Sequence, residues 1–229
     1  MSNKKRILKR TIIGIVGAIV LFIIVLIVNL VLFEKNTSVV SNGEPIENFT
    51  ERNFALLVID IQEATTGEIS SNSFYRKNSA ELINNINRIS DSCKNQNIPI
   101  IYIRSEITNP LINLLNSSFA KGSKGAKFDK RLNIDSEIEI VKRRNDAFFK
   151  TRLDSILTVN KINELYIVGL DAAYCINITV EAAQNRKFKV NLIEEAILSE
   201  SSEMKDSMFV NFRDRGVNVV NIDNFKVSK

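Results

Sequence analysis

The chain has 229 residues, 45% hydrophobic and 25% charged, enough for one core of ordinary composition plus an appendage. Its formal net charge of +5 comes from Lys4, Lys5, Arg6, Lys9 and Arg10. Without them 26 basic residues face 26 acidic ones, so the body is no nucleic-acid binder by charge. Histidine is absent and there are only two cysteines, which excludes Ser-His-Asp and Cys-His catalysis, histidine-ligated zinc and a four-thiolate zinc site.

Residues 1–10 read as a short basic tail. From Thr11 to Phe33 run 23 uncharged residues rich in Ile, Val and Leu. At about 1.5 Å per residue, a helix of that length crosses a bilayer core of about 30 Å. Glu34-Lys35-Asn36 follows directly, with no small-x-small cleavage site, so an uncleaved transmembrane anchor is expected rather than a signal peptide. The blander alternative is a buried core helix. Only Lys35 and Arg52 follow within about 20 residues, so the positive-inside rule predicts a single-pass protein of the cell membrane. Its N-terminus would be cytoplasmic and residues 34–229 would lie outside. Residues 34–53, polar and rich in turn formers, are expected to be a stalk.

The remaining 54–229 read as one domain. Phe54–Ile59 is a continuous apolar run ending at Asp60, as suits a parallel strand buried on both faces. Residues 63–77 are polar, a loop expected over the site. Leu82, Ile86, Ile89 and Cys93 share one face of a helix predicted from Asn78 to about Asn95, which assigns Cys93 to packing. Ile98–Arg104 is the second strand. The weakly patterned Ser105–Asp135 is expected to form a pocket wall. Ser136–Val141 alternates and runs into Lys142-Arg143-Arg144, a charge run whose bland reading is a solvated turn. Thr151–Asp154 has capping-box form before a helix to about Asn160. Leu165–Gly169 is strand-like, with a helical pattern resuming near Cys175. There helix N–H groups and the helix dipole would favour a thiolate, although most free cysteines are simply buried. Lys189–Ile193, a helix near Ser201–Arg213 and Val217–Ile222 complete six strands with helical crossovers. The fold class is α/β: a doubly wound, mainly parallel six-stranded sheet, helices on both faces, preceded by one transmembrane helix.

Asp60 in Leu-Leu-Val-Ile-Asp-Ile-Gln, Lys142 in Val-Lys-Arg-Arg-Asn-Asp-Ala-Phe-Phe and Cys175 in Val-Gly-Leu-Asp-Ala-Ala-Tyr-Cys, each after a strand, resemble the isochorismatase-like cysteine hydrolase family. The resemblance covers about residues 53–223. It implies that Cys175 is the nucleophile, Asp60 the base and Lys142 the third member of a triad. It also implies a non-proline cis peptide at Leu170–Asp171 and an oxyanion hole from the amides of Asp171 and Cys175. Gln62, Phe148 and Tyr174 are expected to line the substrate pocket. The implied activity is hydrolysis of a small amide, carbamoyl or related substrate through a covalent cysteine intermediate, with no cofactor and no metal.

Without histidine, the metal-binding nicotinamidase subgroup is not expected. Asp171-Ala172-Ala173 departs from the family pattern, and an acid there fits an oxyanion hole only if its side chain turns away. That departure keeps open an inactive binding or interaction domain at the membrane, and a homo-oligomer is also left open. Lowering a thiol from about 8.5 to near 6.5 takes about 2.7 kcal/mol, and a helix terminus supplies about 0.3–1 kcal/mol. Lys142 is therefore expected to hold the Cys175 thiolate against Asp60.

Overall fold

In the computed structural model, residues 3–47 and 51–225 are described. Residues 1–2 of the tail, 48–50 of the expected stalk and 226–229 at the end of the domain lie outside them. Helix α1 runs Asn3–Thr37, past both ends of the uncharged run. Its apolar side chains from Ile7 to Leu32 point outward all round and are not buried in the domain, unlike the one-sided stripe of a helix that packs on a soluble core.

The domain proceeds through β1 (Phe54–Ile59), α2 (Ser73–Lys94), β2 (Ile100–Ser105), α3 (Pro110–Leu115), β3 (Glu139–Lys142), α4 (Leu153–Val159) and β4 (Glu164–Gly169). A π-helical turn, Ala172–Ile176, leads into α5 (Asn177–Asn185), then β5 (Lys189–Ile197), α6 (Ser202–Asp214) and β6 (Asn218–Val220). The strands lie in the order β3-β2-β1-β4-β5-β6, every pairing parallel. This is the doubly wound sheet the apolar runs predict.

Its two faces explain why β1 is apolar throughout. Phe54, Leu56 and Val58 pack towards α2, against Leu82, Ile86, Ile89 and Cys93. Ala55, Leu57 and Ile59 face the other way, in a core shared with Leu153 and Leu157 of α4, Val180 of α5, and Phe209 and Phe212 of α6.

Local capping moves two expected boundaries, and long-range bonds change a third segment. Helix α2 begins at Ser73, not Asn78, because the Asn72 side chain accepts the Tyr75 amide at 3.1 Å and caps an earlier turn. At α4 the capping box does not form. The Thr151 hydroxyl donates to the Ala147 carbonyl at 2.7 Å, and Asp154 instead receives Arg186 at 2.7 Å. The expected stalk is in part a strap: Val40 and Ile46 pack on the α4–α6 side of the core. Ser41 N donates to Asp146 Oδ2 at 2.8 Å and Arg186 Nη1 to the Ser41 carbonyl at 3.2 Å. Asp146 and Arg186 are buried in the domain, and buried polar groups take partners wherever the chain offers them.

Candidate active site

In a sheet of this order, ligands bind beyond the carboxyl ends of the strands where the winding reverses, here between β1 and β4. Asp60 follows β1 with φ 56, a left-handed conformation that Asp tolerates and that re-aims the chain at the strand end. Beside it Gly169 closes β4 at φ 120, and a Cβ there would collide with the Ile59 carbonyl. Only glycine lets the two strand ends lie this close. The Leu170–Asp171 peptide is cis, and the π turn then carries Cys175 back over the strand end. Lys142 closes β3, two strands from β1, and its long side chain spans the gap.

These three residues meet around the Lys142 ammonium. Its Nζ donates to Asp60 Oδ2 at 2.7 Å, Ser105 Oγ at 2.7 Å, Cys175 Sγ at 3.0 Å and the Arg144 carbonyl at 3.2 Å. Four acceptors share three N–H groups. Ser105 in turn donates to Asp60 Oδ1 at 3.0 Å, and the Thr65 hydroxyl donates to the Asp60 carbonyl at 2.7 Å. The Cys175 thiol lies 3.5 Å from Asn145 Oδ1.

Burial would lower the Lys142 pKa, but Asp60 and the Cys175 sulfur outweigh it and hold the ammonium above its ordinary value. For Cys175, burial and then the Asp60 charge push the thiol up to about 12, against the lowering influence of Lys142. Lys142 thus lowers the thiol pKa, as expected, while burial and Asp60 work against it.

A model of the isochorismatase domain matches residues 54–224. The chain belongs to the isochorismatase family. N-carbamoylsarcosine amidase of Arthrobacter sp is 30% identical over 129 residues, 51% of this chain and 49% of that protein, so the match spans about half the relative's length. A probable inactive nicotinamidase of Arabidopsis thaliana is 27% identical across 72% of this chain and 91% of its own. Among solved structures, an isochorismatase-like hydrolase from Alkaliphilus metalliredigens shares the fold with TM-score 0.66 at 20% identity. It covers 76% of this chain and 96% of that one.

The position at which this isochorismatase-family chain departs from the expected pattern has a clear geometry. Asp171 turns its carboxylate away from the cysteine. It accepts the Ala173 amide at 2.6 Å, the Tyr75 hydroxyl at 2.5 Å and the Ser199 hydroxyl at 2.9 Å. Burial raises its pKa above the usual carboxylate range despite those three donors. In the same turn the amides of Tyr174 and Ile176 bond the Asp171 carbonyl, and that of Ala172 bonds the Leu198 carbonyl.

A cavity of about 240 Å³ opens over Cys175 and Asp60. Tyr174 lines it as expected, and both weakly patterned segments contribute: Thr65 and Tyr75 from the first, Ser105, Ile107 and Phe119 from the second. Gln62 and Phe148 do not line it. Gln62 is fully buried, its Nε2 donating to the carbonyls of Ser105 (3.0 Å) and Ala126 (2.9 Å), so it fastens the loops beneath the site. Phe148 packs in the core with the Arg186 guanidinium over its ring. Sequence position beside a site residue does not set side-chain direction, and both turn inward. Missed were the bridge that Ser105 makes between Asp60 and Lys142, its only signal being a place at the end of β2, and the contribution of Phe33 and Thr37 from α1.

Proposed function

We propose that the chain is a membrane-anchored cysteine hydrolase of small amides, carbamoyl compounds or related substrates, working through Asp60, Lys142 and Cys175. The observation that carries this reading is the Lys142 ammonium, 2.7 Å from Asp60 and 3.0 Å from Cys175, beneath an open cavity at the switch point. Asp60 takes the thiol proton as Sγ bonds to the substrate carbonyl carbon, and Lys142 becomes the counter-charge of the sulfur. The resulting oxyanion is held by the amides of Asp171 and Cys175. Collapse breaks the C–N bond, the amine leaves with the proton from Asp60, and a thioester remains. Water, deprotonated by Asp60, then releases the carboxylic acid and restores the thiol.

The anchor in this proposal is α1, with the N-terminus cytoplasmic and the domain outside, as the basic asymmetry suggests. That α1 stays with the mature protein is supported by its part in the site. Phe33 and Thr37 line the cavity, and the Asn145 amide donates to the Thr37 carbonyl at 3.1 Å. A cleaved signal peptide would take that wall away.

The test is a turnover screen of small amides and N-carbamoyl amino acids with the full chain, together with mass spectrometry of the quenched protein. An acyl adduct on Cys175 is expected with any substrate turned over. Turnover that survives Cys175→Ala would overturn the mechanism. No turnover and no adduct across the screen would favour an inactive domain, like the Arabidopsis relative.

A further inference from the structure

The wall that α1 lends to the cavity also sets the height of its mouth. Phe33 is the last residue of the uncharged run, and Thr37 lies one turn beyond it. In a membrane-spanning α1 the run ends at the edge of the hydrocarbon, so the cavity opens at headgroup level. Helix α3 adds a second contact with the span. It packs beside α1, where Asn109, its N-cap residue, donates to Asn29 Oδ1 at 3.1 Å. Asn29 lies about 6 Å deeper along the helix than Phe33, at 1.5 Å per residue. At the far end of this short helix Leu114 and Leu115 are 66% and 56% exposed. On a membrane-anchored protein, two exposed leucines at this place suit contact with lipid.

The lining of the mouth matches that position. Phe33, Ile107, Phe119 and Leu170 give it an apolar side, and Arg143 and Arg144 stand on the same rim. At about 240 Å³ the cavity is smaller than the roughly 300–1,000 Å³ of pockets that enclose a whole drug-sized ligand.

Resting on the reading of α1 as a membrane span and Cys175 as the nucleophile, we propose that the cavity is loaded from the bilayer. The substrate class is an amphiphile: a small amide or carbamoyl head that enters the cavity, on a hydrocarbon chain that stays in the membrane beside α1 and α3. The Phe33 edge is the doorway. The anchor then acts as part of the binding site as well as a tether.

Two thiol reagents of the same chemistry test this without knowledge of the substrate. The full chain, in phosphatidylcholine vesicles, is treated with iodoacetamide or with N-hexadecyl iodoacetamide at equal total concentration. The Cys175 adduct is followed by mass spectrometry; in either case an S–C bond forms and iodide and a proton leave. Sequestered in the bilayer, the hexadecyl reagent should label Cys175 at least about ten-fold faster than iodoacetamide. The double variant Leu114→Glu/Leu115→Glu should reduce that ratio by about ten-fold, the effect of withdrawing two leucines from the interface. A hexadecyl reagent slower than iodoacetamide, on protein that floats with the vesicles, would mean the mouth opens to water and would overturn the proposal alone. Protein that does not float, or a Cys175 that takes neither reagent, would overturn the underlying reading and the proposal with it.

Discussion

Cys93 and Cys175 are the two thiols of the chain, and each is pushed up to about 12. For Cys93, burial between α2 and the sheet is the cause. For Cys175, burial and Asp60 push up while Lys142 pulls down, and the residue opens on a cavity. A displaced pKa therefore does not mark the reactive cysteine here. What separates the two is a carboxylate beside the thiol, 2.7 Å from a lysine that can take the sulfur as its counter-charge.

The largest way to sharpen that contrast is to remove each sulfur. Cys175→Ala should lower turnover by about 10⁴-fold or more, as expected when a nucleophile is lost from a group that acts as a unit. Cys93→Ala should leave turnover near wild type and cost about 1–2 kcal/mol of stability in urea denaturation. Comparable losses of turnover in both variants would erase the distinction.

Asp60→Asn should lower turnover by about 10²–10⁴-fold while making Cys175 easier to alkylate at pH 8–9. The two measurements should part because Asp60 raises the thiol pKa, so its removal lets the thiolate become the partner of Lys142. Alkylation by iodoacetamide that slows in this variant would show that Asp60 does not oppose the thiolate.

Lys142→Ala strands a buried carboxylate, which should cost about 3–5 kcal/mol of stability. It should also move the Cys175 alkylation profile to higher pH, since Lys142 is the influence that lowers the thiol pKa. Lys142→Arg should restore much of the stability but only part of the turnover, its planar fork being a poor substitute for a compact ammonium among four acceptors. Coincident profiles in wild type and Lys142→Ala would return Lys142 to a structural role. Ser105→Ala, which removes only the hydroxyl bridging Lys142 and Asp60, should cost about 1 kcal/mol and a smaller part of kcat.

A further effect is on stability at high pH. Cys93 has its folded pKa raised from 9.0 to about 12, so the folded state keeps a proton that the unfolded state has given up. Its contribution is fully present below about pH 9 and is lost as pH rises from about 9 to 12, at no more than about 1.4 kcal/mol per pH unit. Denaturation midpoints of Cys93→Ala should fall less steeply over that window than those of wild type.

Legibility followed the range of the forces involved. Apolar runs and their spacing depend on local chain geometry, so the six strands, the α2 stripe and the placement of Cys93 in the core could be read directly. So could the strand ends that carry Asp60, Lys142 and Cys175. Local boundaries were less secure, since Asn72 outcompeted a later start for α2 and Arg186 drew Asp154 out of its capping box.

What the amino-acid order determined by itself is the set of groups available. It has no histidine, two thiols and one long uncharged run, no net charge beyond the basic tail, and parallel strands that deliver three polar residues to one edge. What only the tertiary structure decided is how these groups act on each other. Folding put the Lys142 ammonium 2.7 Å from Asp60 and 3.0 Å from Cys175, so that one cation serves both groups. It also turned Gln62 and Phe148 inward, and set the end of α1 against the cavity. Those outcomes depend on distances between residues far apart in the chain, and a sequence carries such distances only through the fold.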